Sequence, residues 1–406
     1  MTTLQDPQGP PIPGAKIEPT FDSGLFRLMA LAAGLSATAL YFAQPLLHRL
    51  STEFGMSAAQ SSWLVTGAQA GYAVGLLLLV PLGDILRRGR FAVTLLLSTA
   101  ALLVVATASV GGSMLVMATV AASMAAVGAQ VLVPMAAGIA PEGSSGRAVG
   151  IVMSGVLSGG MLGRAASGVL ADIAGWRSGY WVAAALLVVT ALTLRRRLPA
   201  DGAPSTRLTL GRYLRLLRSL ITPLQQLPVL RRRTLVAALA MAAFTIQLSA
   251  VTLRLSVDPF GWSTTAIGIF SLLALVGIAL MPLTGRIADA GHTRIVITVG
   301  LTFELGAWML MLVAGSTVIG LAAGVVGLIV GQQAVMVATQ AVVYALRPEA
   351  RSRMNAILMA SCFAAGAAGS ALAAAAWSIA GWTGACVVAA ILALLGLTTQ
   401  LAARGR

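Results

Sequence analysis

The chain has 406 residues, of which 58% are hydrophobic and only 10% charged, and its mean hydropathy is +0.90. A soluble domain carries charge on about 25% of its residues, so this composition defines a polytopic membrane protein. The formal net charge of +15 would suggest nucleic acid, but the basic residues sit between apolar runs with no aromatic-studded basic face, which excludes that partner. Residues 1–24 are polar and proline-rich (Pro7, Pro10, Pro11, Pro13) and lack the features of a secretory signal, so a disordered cytoplasmic tail is expected. Spanning segments need about 20 apolar residues. They are expected at 25–47, 61–82, 91–110, 113–136, 148–171 and 180–194, then at 235–255, 266–283, 294–313, 318–344, 354–376 and 384–401. The fold class is therefore an all-α membrane protein of about twelve helices: an N-terminal six-helix bundle over 25–195, a linker over 196–233, a C-terminal bundle over 234–401 and a tail over 402–406.

An even number of spans places both termini on one side. Arg87, Arg88, Arg90, Arg147, Arg286, Arg294, Arg347, Arg351, Arg353 and the linker arginines fall on the terminal side of that topology, and only Arg49, Arg177 and Arg254 on the other. Basic residues concentrate on the cytoplasmic face, so both termini are expected in the cytoplasm of a bacterial inner membrane. The linker runs from Arg195-Arg196-Arg197 to Arg231-Arg232-Arg233. Between them, at 100° per residue, Arg212, Arg215 and Arg218 face one way and Tyr213, Leu214, Leu217, Leu220 and Ile221 the other. That is a basic amphipathic helix suited to an anionic membrane surface.

The two halves repeat. Arg147, Met153 and Gly175-Trp176 each lie 206 residues before Arg353, Met359 and Gly381-Trp382. Such internal repeats are the signature of transporters whose halves rock about a central site. Each half also carries a charged hairpin between its second and third spans: Asp84 with Arg87, Arg88 and Arg90 in the first, and Gly285, Asp289 and Arg294 in the second. Paired in this way, the hairpins resemble those of the major facilitator superfamily. The first has Val80 where the family's leading glycine stands, and the second is one residue short. The stretches 41–47, 71–76 and 163–168 are similar to bacterial permeases of the drug-efflux-like and arabinose-efflux-like kind, which implies export.

The resemblance implies further roles. Gly155, Gly159 and Gly163, with Gly160 beside them, are similar to the fifth-helix glycine motif of the family's antiporters, although Gly160 stands where that motif has proline. The same spacing suits close helix packing. The hairpin residues are expected to tie the second helix of each half to neighbouring helices in the outward-open state. In the family the first, fourth, seventh and tenth helices line the cavity, which assigns Tyr41, Gln44, Gln130, Gln247, Gln333 and Gln340 to it. Buried amides supply both donor and acceptor to a polar or amphipathic ligand.

Two charges lie within spans. Arg164 follows the glycines, and its counterpart 206 residues on is Ser370, so the shared architecture does not demand it. It is expected either to hold a substrate or a carboxyl partner or to snorkel to the interface. Glu304 is the acid nearest the middle of a span and is the candidate for proton coupling, or else a structural carboxyl. His48 and His292 lie at opposite membrane edges, no GxxxxGK loop is present, and Cys362 and Cys386 suit packing. These observations exclude an enzyme, a metal site and a cofactor. The expected function is proton-driven export of a small organic molecule by a monomer embedded in lipid. The alternatives are proton-coupled uptake of a sugar or organic acid, and a sensor that does not translocate.

Overall fold

The computed structural model describes residues 22–141, 144–199, 209–347 and 351–402. The expected tails at 1–24 and 402–406 fall almost wholly outside these residues. The described residues are nearly all helical and contain no strand. Ten helices among them are long and apolar enough to cross a membrane. In chain order the α-helices are α1 (Ser23–Tyr41), the short α2 (Leu47–Phe54), α3 (Ala58–Leu78), α4 (Arg88–Thr107), α5 (Gly112–Ala125), α6 (Gly128–Ile139), α7 (Ser145–Ala174) and α8 (Trp176–Arg197). Then follow α9 (Leu210–Gln226), α10 (Pro228–Ser256), α11 (Thr264–Phe270), α12 (Ala274–Ile287), α13 (Thr293–Ala314), α14 (Val318–Leu346) and α15 (Arg351–Leu401). The 51 residues of α15 would span about 75 Å as one rod, more than twice the hydrocarbon core. They are two crossings joined at Gly381, whose φ of 55° only glycine adopts without cost. Gly175, one repeat earlier, has φ 81° and separates α7 from α8. The repeated Gly-Trp is thus the corner between the last two spans of each half. With α5–α6 and α11–α12 each forming one crossing, the architecture matches the expected twelve.

Local chemistry sets the breaks. The expected first span runs to Leu47, but the helix stops at Tyr41. The ring of Pro45 would clash with the carbonyl four residues earlier, that of Tyr41, and the chain turns through a 3₁₀ segment at Gln44–Leu46 instead. Ser57 caps α3 in a reciprocal box with Gln60, and Thr317 caps α14 through the Gly320 N–H. Between the hairpin's spans, a 3₁₀ turn covers Val80–Asp84 and the Arg88 Nε donates to the Gly83 carbonyl at 3.2 Å. The second hairpin turns at Gly291, with φ 87°. The side chains of Asp84 and Asp289 and the surroundings of Gly285 are outside what the structure describes.

One continuous apolar core fills the N-terminal bundle, around Phe26, Met29, Leu46, Leu64, Leu96 and Leu132. The C-terminal bundle packs around Trp308, Met311 and Leu328, with smaller clusters about Ile357 and Leu301. The amphipathic α9 does not lie free. Leu217, Leu220 and Leu224 pack with Leu230, Met354 and Ile357 of α10 and α15, while Arg215 and Arg218 stay exposed. The Tyr213 hydroxyl donates to the Leu78 carbonyl at 2.9 Å, so α9 also touches the other bundle.

Candidate substrate cavity

α7 packs against α1 of its own bundle and against α11 of the other. Its one face packs on α1. A Cβ added at Gly155, Gly159 or Gly163 would run into Ala30, Gly34 or Thr38 respectively, and the Thr38 hydroxyl donates to the Gly159 carbonyl at 2.9 Å. Only glycine permits this approach. Gly160 sits one residue round the helix, where an added Cβ would lie 3.0 Å from the Tyr41 ring.

A second stripe of α7, Leu157, Met161, Arg164 and Gly168, follows the four-three-four spacing of one helical face and turns toward the C-terminal bundle. Leu157 and Met161 line a cavity of about 170 Å³ between the bundles. Gly168 packs against the Thr264 backbone, and an added Cβ at Gly268 of α11 would lie 3.0 Å from the Arg164 carbonyl. The cavity's other walls come from α1 (Tyr41), α10 (Met241, Phe244), α14 (Gln332, Gln333, Met336) and α15 (Met359, Cys362, Phe363). Methionine is flexible and polarizable and suits a lining that adapts to its ligand. Gln332 is 5% exposed; its amide nitrogen approaches the Met241 sulfur at 3.3 Å, and its Oε1 meets no protein donor.

Of the residues expected from sequence, Tyr41 and Gln333 line the cavity, and Arg164 lies one turn beyond Met161 on the same stripe. Gln44, Gln247 and Gln340 are not among its lining residues. Gln44 is buried in the turn after α1 with both amide atoms unpartnered. Gln130 donates to the Tyr72 hydroxyl at 3.2 Å, and Tyr72 meets the cavity residue Phe363 edge-on at 4.5 Å between centroids. Its link to the cavity is therefore indirect. Arg164 does not snorkel. It is 5% exposed, its Nε has no hydrogen-bond partner, and the Tyr41 phenol is its electrostatic neighbour. Glu304 is fully buried where α13 crosses α14, its Cγ against Gly331, and neither carboxyl oxygen has a partner. It is separated from the cavity by the thickness of α14.

Sequence reasoning missed the methionine lining and a polar latch. At the edge opposite the termini, Asp172 at the end of α7 accepts from the Thr264 hydroxyl and, through Oδ2, from the Thr265 N–H at 2.7 Å. One carboxylate of the N-terminal bundle thus caps the first turn of α11 in the other bundle, in addition to Ser263, which bonds the Ala266 N–H. Arg49 donates to the Ala171 carbonyl at 2.5 Å and pairs with Asp172 at 3.4 Å. Arg177 and Trp176 hold Glu53 nearby at 2.7 and 2.6 Å. The Ser-Thr-Thr run that opens α11 was the readable signal, since such residues mark a helix start that seeks acceptors.

Two helical bundles related by a repeat, with a ligand-sized cavity in their seam and no catalytic constellation among the described residues, define a membrane carrier. Residues 29–331 and 234–404 match the model of the Major Facilitator Superfamily, and the chain belongs to that family of non-enzymatic transporters. It is 37% identical over 373 residues to the uncharacterized transporter YgaY of Escherichia coli O157:H7, covering 92% of this chain and 94% of that one. It is also 25% identical over 293 residues to a chloramphenicol resistance protein of Streptomyces lividans, over 72% and 73% of the two chains. The nucleoside transporter NupG shares the fold, with a TM-score of 0.74 over 94% of this chain and all of the other, at 13% identity.

Proposed function

We propose that the protein exports a small amphipathic organic molecule across the bacterial inner membrane, exchanging it for protons by alternating access. The observation that carries this reading is the position of the cavity. It lies between the bundles and is lined from both of them, below a seam that Asp172 and α11 latch at the edge opposite the termini. With the termini placed in the cytoplasm, the orientation the arginine distribution favours, a latched outer seam leaves the cavity to the inner side, a state that export passes through. The relative named for chloramphenicol resistance supports the same direction. Glu304 is the proposed proton carrier, and the hairpin residues Asp84, Arg87, Arg88, Arg90, Asp289 and Arg294 are proposed to stabilise the alternate conformation. The protein works as a monomer in this scheme.

The test is growth of an efflux-deficient bacterial host expressing the protein on a panel of toxic amphipathic compounds. Raised tolerance that collapses when the proton gradient is dissipated supports export. Heightened sensitivity across the panel, the mark of uptake, overturns it.

A further inference from the structure

Arg164 sets a constraint on the ligand. Its guanidinium is buried, yet the ion pairs described in the structure, Arg49 with Asp172 and Arg177 with Glu53, leave it out. No carboxylate is hydrogen-bonded to it among the described residues. A guanidinium cannot shed its proton to escape burial, and buried charges are kept only where something compensates them. Tyr41, the neighbour that interacts with it, is a neutral phenol and a cavity wall residue. The stripe geometry puts Arg164 between the cavity-lining Met161 and the sealing contact of Gly168 with Thr264. It therefore sits about one turn beyond the cavity lining, on the α7 face that carries Leu157 and Met161.

The cavity lining itself is uncharged. Met161, Met241, Met336, Met359, Phe244 and Phe363 supply an apolar wall, with the amides of Gln332 and Gln333 opposite the arginine's bundle. The cavity, at about 170 Å³, is smaller than the ~300–1,000 Å³ of drug-sized sites. From this juxtaposition we infer that the transported ligand is a small organic monoanion, an acid with a compact apolar body. Its anionic head is bound by Arg164 and Tyr41, and its body lies among the methionines. A planar oxyanion such as a carboxylate matches the two-donor fork of a guanidinium. The carrier's own charge is thereby completed by its cargo, which explains why an unpaired arginine persists at a position where the other half of the repeat has Ser370.

This inference rests on the cavity being the transport site, and the experiment separates the two. Purified full-length protein in nanodiscs is titrated with matched acid and amide pairs of equal shape: benzoate with benzamide, phenylacetate with phenylacetamide, hexanoate with hexanamide. Binding is read as the shift in Tm. At least one acid is expected to stabilise the wild type at tenfold lower concentration than its amide. Arg164→Gln should erase that preference, Arg164→Lys should keep part of it, and Tyr41→Phe should weaken acid binding severalfold. If Arg164→Gln does not fold, the acid–amide ratio in the wild type and in Tyr41→Phe still decides. Equal binding of both members of every pair, no binding by any acid, or an acid preference surviving in Arg164→Gln overturns the inference. Acid-selective binding without flux of that acid in liposomes would instead sink the transport reading and leave the anion site standing.

Discussion

Asp172→Asn is the perturbation whose size the structure predicts best. The carboxylate spans the two bundles through the Thr264 hydroxyl and the Thr265 N–H, with Arg49 beside it. Asparagine keeps the shape and one acceptor oxygen but loses the charge and the second acceptor. A hydrogen bond to a charged group contributes about 1.5–3 kcal/mol, and an anion at a helix N-terminus about 0.3–1 kcal/mol. The Asp172 side chain is 31% exposed, so solvent screening moves both toward their lower ends, and the Arg49 pair adds little. A net loss of about 1–2 kcal/mol remains, a factor of about 5–30 in the ratio of open to latched seam. Ile267 lines the outer pocket and is 3% exposed. Ile267→Cys, in a chain with Cys362 and Cys386 replaced by alanine, reports seam opening by its alkylation with an impermeant maleimide added from outside. When opening is fast relative to alkylation, the rate follows the open population. Asp172→Asn should raise it about 5–30-fold, and Thr264→Val should raise it by less. An unchanged rate in well-inserted Asp172→Asn protein would refute the latch.

Gly159→Val forces a branched side chain into the Gly34 backbone and should destabilise the protein by about 1–3 kcal/mol, seen as a lower Tm. Gly150→Ala, with no neighbouring atom within 4 Å of its added Cβ, should not lower Tm, because alanine is the better helix former. Glu304→Gln keeps the shape of a fully buried side chain but carries no exchangeable acid proton. In liposomes it should retain substrate exchange and lose pH-driven accumulation; both intact would assign Glu304 to structure alone. Reporter fusions in the central linker and after Val110 should report opposite compartments, and two cytoplasmic signals would refute the topology.

The spans were legible because a run of about 20 apolar residues has few alternatives; Gly175 and Gly381 fall in the gaps between expected spans, but the Gly-Trp pair reads in sequence only as a repeat, and it is the positive φ of each glycine that makes it a corner. The break in the fourth crossing between α5 and α6 was not legible. Val127-Gly128 lies in an apolar run with nothing but one glycine to announce a kink. Arg164 stood out because a charge among apolar residues is costly, about 2.5–3.5 kcal/mol at a helix centre. Its burial, however, arises from the assembled helices, which no local pattern encodes. The methionine walls were invisible for the converse reason, since a cavity methionine and a core methionine read alike until the helices are assembled. Gln44 and Gln247 show the limit of assigning residues by helix number: one lies in the turn after a cavity helix, the other on a cavity helix, and neither lines the cavity.

α7 joins the three features into one mechanical unit. From Leu157 to Asp172 it rises about 22 Å, past the cavity wall, the buried arginine and the latch. Its glycine face is welded to α1 by contacts too close to slide without separating backbones. Tyr41 at the end of α1 therefore travels with Arg164, and the anion site moves as a body when Asp172 leaves α11. The amides of Gln332 and Gln333 belong to α14 and do not share that motion. A ligand held only by Arg164 and Tyr41 would bind both conformations equally and shift nothing, because a ligand moves an equilibrium only by its differential affinity. A ligand that also reaches the α14 amides favours the arrangement in which the bundles are brought together at the cavity. Linkage makes this reciprocal. The factor by which a saturating acid slows alkylation at Ile267→Cys must equal the ratio of its affinities for the latched and open seam. The latch and the cargo thus act on the same equilibrium, one from the rim and one from the centre.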